Sequence, residues 1–229
     1  MIPGFWLDGS SWDAVAPSLR QAGHIVHTPT LPGLESKDAD REGIGLRDHV
    51  DAVVGLIDST TDPVVLVGHS GGGAIAHAAA DARPDRVARV VYVDSGPLGD
   101  GGVINDGEFP VVGSEIPLPN WPVFDDADLV DLDDDLRASM RERAIPQPAA
   151  VATDTQVLTN PKRYDVPVTI IACEFPSATI RDWIEEGLPF IAELAKIKSV
   201  ELVDLPTGHW PQFTKPAELA DAIRKAVEG

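Results

Sequence analysis

The run Pro63-Val64-Val65-Leu66-Val67-Gly68-His69-Ser70-Gly71-Gly72-Gly73 constrains this chain more than any other segment. Its first half is a continuous apolar stretch, the pattern of a strand buried on both faces. The residues that follow, Gly71 to Ala82, are small and Ala-rich, the pattern of a closely packed helix. G-x-S-x-G lies between the two. A serine there must occupy a tight, strained turn that frees its hydroxyl from both elements, and Gly68 and Gly72 remove side chains that would collide where strand and helix cross. The helix N-terminus adds partial positive charge beside that hydroxyl. No G-K-[ST] follows, which excludes a phosphate-binding loop of that type. Ser70 is the candidate nucleophile.

The rest of the chain alternates short apolar runs with helical patterns, which predicts an α/β fold with a mostly parallel central sheet and flanking helices. Helices are expected over Ser11–Ala22, Leu46–Asp58, Gly71–Ala82 and Lys215–Val227, the last begun by Pro216 in its first turn. Strands are expected at His24–Thr28, Pro63–Val67, Val87–Val93, Val166–Ala172 and Ser199–Val203. Met1-Ile2-Pro3-Gly4 leaves room for no more than a stub of strand before the first loop. Residues 97–165 break the rhythm: they are rich in Pro, Gly and Asp, with Asp128–Arg143 as the best helical stretch. A long excursion between two core strands is read as a lid inserted into one domain spanning 1–229.

Charge narrows the function classes. Lys and Arg number 18 against 37 Asp and Glu, a formal net charge of −19. Such a surface repels phosphate backbones and anionic lipid, so neither nucleic acid nor membrane is expected as a partner. Seven aspartates crowd residues 125–135, but without the Gly and terminal Glu of an EF-hand loop, so a solvated helix face or mobile lid is the preferred reading. Cys173 is the only cysteine, no N-terminal stretch reads as a signal peptide and no apolar run is long enough to span a membrane; a cytoplasmic setting is expected.

A serine hydroxyl needs a base. Of six histidines, His24 and His27 flank an early predicted strand, His49 falls on the polar side of a helix, His69 points away from its neighbour Ser70, and His77 lies two turns into the following helix. His209 follows the last strand, and loops after the C-terminal ends of parallel strands gather at one edge of the sheet. His209 is the candidate base. Two carboxylates compete to orient it. Asp94 ends the strand after the elbow's helix, Glu174 ends the next, and both keep the order Ser, acid, His; Asp94 is preferred. The backbone N–H groups of Gly71 and Phe5 are the candidate oxyanion-hole donors, with Gly4 permitting close approach. Trp6, Trp121, Trp210 and Phe213 are candidates for an apolar substrate pocket.

Gly68-His69-Ser70-Gly71-Gly72, the late Gly208-His209 and the Gly4-Phe5-Trp6 loop together resemble the α/β-hydrolase superfamily. The stretches 3–12 and 207–212 are similar to small, lid-bearing bacterial members of the methylesterase and hydroxynitrile-lyase branch. The resemblance covers residues 1–96 and 166–229. It implies no cofactor or metal, a small ester-like substrate, and hydrolysis of an ester or lactone through an acyl-enzyme. A hydroxynitrile lyase or carbon–carbon hydrolase on the same site, or a non-catalytic small-molecule receptor, are the alternatives. Three departures stand out. The branch carries its acid one or two residues past the strand ending Cys173-Glu174, where this chain has Phe175-Pro176; Pro3 replaces a frequent His; and the segment before the first loop is short.

Overall fold

The computed structural model describes all 229 residues. Four strands, β1 (Val64–His69), β2 (Val87–Val93), β5 (Val168–Ala172) and β6 (Val200–Asp204), form one parallel sheet in that order. A short antiparallel pair, β3 (Glu115–Ile116) and β4 (Gln147–Pro148), lies apart from it. The helices are α1 (Ala16–Gln21), α2 (Leu46–Ser59), α3 (Gly71–Ala82), α4 (Asp134–Arg143), α5 (Ala149–Thr153), α6 (Ser177–Glu185), α7 (Pro211–Thr214) and α8 (Pro216–Glu228). The stub before the first loop is a single parallel bridge from Ile2 to Gly68. No helix is long and apolar enough to cross a membrane.

Period-two alternation divides the core. Leu66, Val90, Tyr92 and Ile170 pack on one face with Val50 and Val53 of α2 and Ala76 and Ala79 of α3. Val67, Val91, Val93 and Ile171 pack on the other with Leu19 of α1 and Leu219 and Ile223 of α8. Both faces are thus covered, as continuous apolar strands require. The register, Gly68 opposite Tyr92 and Val93 opposite Ile171, brings the strand C-termini out along one edge.

Several expectations need correction. His24–Thr28 forms no strand: Ile25 is 88% exposed, and the Arg20 guanidinium takes the Val26 carbonyl that a neighbouring strand would bond. Ser11–Ala22 is not one helix, because Pro17 has no N–H to bond the carbonyl four residues back and fits a helix only in its first turn; a 3₁₀ turn at Gly9–Trp12 precedes a separate α1 with Pro17 in that turn. His49 is buried, its Nε2 2.8 Å from the Pro32 carbonyl oxygen, because it shares the α2 stripe with Leu46, Val50 and Val53. In place of a helix over Asp128–Arg143, α4 starts at Asp134, where Asp133 caps it by accepting from Leu136 N at 2.8 Å. Asp134 and Asp135 then complement the helix dipole.

Residues 97–165 pack over the sheet edge. Ile116, Leu132, Met140 and Ala152 form a third core cluster with Phe5, Trp6 and Trp210. Trp6 Nε1 donates to the Ile116 carbonyl at 3.1 Å, and the Ile145 amide to the Trp6 carbonyl at 2.9 Å.

These assignments separate two isoleucines. Ile171→Ala, in a strand covered on both sides, is expected to cost about 2–5 kcal/mol in urea unfolding. Ile25→Ala is expected to stay within about 0.5 kcal/mol of the parent. Comparable losses at both positions would contradict the removal of a strand at residues 24–28.

Candidate active site

Ser70 joins β1 to α3 with φ 51° and ψ −128°, a backbone state that costs a non-glycine residue about 1–3 kcal/mol and is held only by its surroundings. Its amide donates to the Val93 carbonyl at 3.2 Å, and its carbonyl accepts from Ser95 Oγ at 2.7 Å and from the Gly73 amide at 2.8 Å. The bonds that fix it therefore run through the backbone. The flanking glycines are sterically required: a Cβ on Gly68 would lie 2.5 Å from the Gly72 carbonyl oxygen, and one on Gly72 the same distance from that of Pro3.

The edge formed by the strand ends gathers the other candidates. Asp94 follows β2 with φ 42°, and its amide donates to the Ile171 carbonyl at 2.9 Å. Asp94 Oδ1 accepts from the amides of Cys173 and Glu174, each at 3.1 Å. Asp94 Oδ2 lies 2.7 Å from His209 Nδ1 and is its hydrogen-bond partner. Glu174 is not an excluded rival: its Oε1 lies 2.8 Å from the same nitrogen. The two carboxylates proposed as alternatives meet at one ring.

His209 is held through its backbone by two distant segments. Its amide donates to the Asp128 carbonyl at 2.8 Å, and the Gly208 amide to that of Val130 at 3.1 Å. The acid-rich stretch thus clamps the histidine loop with its carbonyls. The His209 carbonyl lies 2.6 Å from His69 Nε2, while His69 Nδ1 lies 3.3 Å from Gln212 Nε2. With Nδ1 accepting from the Gln212 amide, Nε2 carries the hydrogen it gives His209. Burial pushes His69 down to about 3, which keeps the ring neutral for that role. The one sequence signal for this role is its place next to Ser70. His77 lies away from the cavity, buried against Tyr92 and Glu193, 2.9 and 3.2 Å away.

Electrostatics follow from the pairing. Burial opposes a charged His209 ring, but hydrogen bonds and charge from Asp94 and Glu174 outweigh it and push His209 up to about 10. Burial also raises both carboxyls. At Asp94 the contact with His209 wins and holds it below the usual range, whereas Glu174, beside Asp94, is raised.

Ser70, Asp94, Glu174 and His209 line one cavity of about 490 Å³. Phe5 and Gly71 line it as well, and neither of their amides donates to a protein group. Gly4 is needed in that loop, since a Cβ there would lie 2.6 Å from His69 Nδ1. Of the four aromatic pocket candidates, only Trp6 lines the cavity. Trp210 is 1% exposed and packs edge-on against Phe124, with Trp121 beside both. Phe213 stacks under Arg143 at a second cavity. The walls that sequence reasoning missed are Phe109 and Phe124 from the excursion and Trp183 and Phe190 from the region of α6; their positions depend on chain reversals that carry no local signal.

A raised histidine pKa has a definite sign in stability. The folded state binds the proton more tightly than the unfolded chain, so His209 contributes fully below its ordinary 6.5 and the contribution is lost as pH rises through about 10. The stabilisation that the parent holds over His209→Gln is therefore expected to shrink between those limits in urea titrations at fixed pH. A difference that grows with pH would contradict the pairing.

Comparisons with known proteins bear on the family and the fold. The family model described as "Alpha/beta hydrolase family" matches residues 1–222. A carbendazim hydrolyzing esterase of Nocardioides sp. is 35% identical over 97 residues, 42% of this chain and 40% of that enzyme. A pyrethroid hydrolase of Sphingobium wenxiniae is 28% identical over 97% of this chain and 85% of its own length. Among solved structures, an extracellular alpha/beta-hydrolase from a Paenibacillus species superposes with a TM-score of 0.77 at 24% identity, covering 98% of this chain and 96% of that one; this likeness bears on the fold. The chain belongs to the alpha/beta hydrolase family.

Proposed function

We propose that this protein hydrolyses a carboxylic ester or lactone through an acyl-enzyme. Ser70 is the nucleophile, His209 the base, Asp94 the acid that orients it, and the Phe5 and Gly71 amides form the oxyanion hole. One observation carries the reading: a serine held at φ 51° at a strand-to-helix turn shares a cavity with a histidine whose Nδ1 is bound 2.7 Å from an aspartate. A ring so bound presents Nε2 as the proton acceptor.

The steps follow from these roles. The Ser70 hydroxyl proton moves to His209 Nε2 as Oγ attacks the acyl carbon. The oxyanion that forms accepts from the two amides, each worth about 2.7–4 kcal/mol in such a hole. The carbon–oxygen bond to the leaving alcohol then breaks, and the alcohol takes the proton from Nε2. Water, deprotonated by the same nitrogen, releases the acid and restores Ser70.

The cavity is of the size that holds a small organic molecule, and its aromatic walls suit an apolar acyl or alcohol group. Acidic side chains at Glu108 and Asp128 on the same cavity, with the net charge of −19, disfavour anionic substrates. Two relatives named as an esterase and a hydrolase support the same chemistry. Residues 97–165 serve in this reading as the lid of a single domain. The lone, buried Cys173 supports a cytoplasmic setting.

The test is covalent labelling. A fluorophosphonate is expected to modify Ser70 in the folded protein, and Ser70→Ala is expected to lower kcat on p-nitrophenyl butyrate by about 10⁵–10⁶-fold, the scale seen when such a nucleophile is removed. Folded protein that neither labels at Ser70 nor loses activity in the alanine variant would overturn the reading.

A further inference from the structure

Two carboxylates reach one nitrogen in this site. His209 Nδ1 lies 2.7 Å from Asp94 Oδ2 and 2.8 Å from Glu174 Oε1. A ring nitrogen carries one hydrogen, and it is bonded to Asp94. Glu174 Oε1 is buried and has no hydrogen-bond donor of its own. The carboxyls come from the ends of adjacent strands, and the Glu174 amide is itself given to Asp94 Oδ1 at 3.1 Å. Each side chain is about nine-tenths buried, so neither is free to turn out into solvent.

We propose that Glu174 is a second acid for the base: a positioning residue that shares the Nδ1–H of His209 with Asp94 and takes its place when Asp94 is removed. The inference rests on His209 being the base of the proposed reaction, but the pairing itself is independent of catalysis.

Charge makes the proposal more than a spare contact. Two neighbouring buried carboxylates are not both ionised unless a cation faces them. The cluster therefore holds one proton more than a single aspartate and histidine would at the same pH. In one arrangement that proton sits on Glu174 and the ring is neutral, with Nε2 free to take the Ser70 proton. In the other it sits on Nε2, both carboxylates are ionised, and the ring does not act as a base. The two differ only in where the proton resides, and raising the pH removes it. The upward displacement of both Glu174 and His209 agrees with this sharing.

Of the other groups facing the cluster, two stay uncharged and one is a further carboxyl. His69, with its ring centre 5.0 Å from that of His209, is kept neutral by burial. The Cys173 thiol is pushed up by burial and by both carboxylates, and stays uncharged. Glu108 lines the same cavity, burial and the Asp128 charge raise it, and it is present in both proteins compared below.

The experiment follows the His209 ring by ¹⁵N-histidine NMR against pH, in the parent and in Glu174→Gln. The variant removes one negative charge at constant shape, and the ring's midpoint is expected to fall by about one pH unit or more. An unchanged midpoint would overturn the proposal. On p-nitrophenyl butyrate, the acidic limb of kcat/KM is expected to move down in pH by the same amount. Asp94→Asn alone is expected to lose about 10–100-fold in kcat, and Asp94→Asn with Glu174→Gln about 10⁴-fold, the loss typical of a triad without its acid. A single variant as impaired as the double would overturn the substitution of one acid for the other. Glu174→Ala replaces Glu174→Gln in each arm should the glutamine variant not fold. A shifted midpoint in a protein that cleaves no ester would leave the pairing standing and remove the hydrolase reading instead.

Discussion

A backbone that must turn from strand to helix within a single residue sets the terms for the rest of this structure. Ser70 occupies a conformation that isolated serine avoids, and its neighbours hold it there. Gly68 and Gly72 let β1, α3 and the Pro3 loop approach backbone to backbone. Val93 and Ser95, at the end of the next strand, bond the Ser70 amide and carbonyl. Trp6 and Asp94 also have positive φ, at 64° and 42°, and both line the Ser70 cavity. Of the four non-glycine residues with positive φ, three thus line this cavity and Asp131 lies outside it, and such clustering of strain is common at functional sites.

The parallel sheet turns that local geometry into a constellation. Each strand ends at the same edge, so side chains far apart in sequence arrive together without long loops: Ser70 after β1, Asp94 after β2, Glu174 after β5, and His209 in the loop after β6. The histidine loop then needs fixing, and two segments do it through backbone groups. The carbonyls of Asp128 and Val130 take its amides, while the neutral ring of His69 takes its carbonyl. The aspartates between 125 and 135 act in two ways, some through the side chain and one through the main chain. Asp133 caps α4 and Asp128 clamps His209.

Much of this was legible in the sequence for physical reasons. Continuous apolar runs identified the sheet, because a strand covered on both faces has no polar side. The G-x-S-x-G turn identified Ser70, because its glycines answer to sterics within a few residues. His209 was legible from topology alone. The failures share a different character. His24–Thr28 has a strand's composition, but no neighbouring strand lies against it, and Ile25 is left in solvent. Polarity alone puts His49 on the solvent side of α2, whereas its spacing from Leu46 and Val53 puts it on the buried stripe. Whether Asp94 or Glu174 meets His209 depends on the register of β2 against β5, which no local pattern encodes, and the answer is that both do. Trp210 and Phe213 are aromatic and near the histidine in sequence, and Trp121 lies in the excursion, yet none of the three lines the cavity; its walls come from segments whose approach is set by long-range packing.

In the proposed reaction Ser70 carries the acyl group during turnover. The most direct test is to stop the reaction with acid during the first turnovers on p-nitrophenyl butyrate and measure the mass of the protein and of its peptides. The account predicts a butyryl increment on the peptide containing Ser70, absent from Ser70→Ala and lost when the substrate is exhausted. Rapid ester cleavage in the parent, with an acyl group found on another residue and full activity retained by Ser70→Ala, would contradict it.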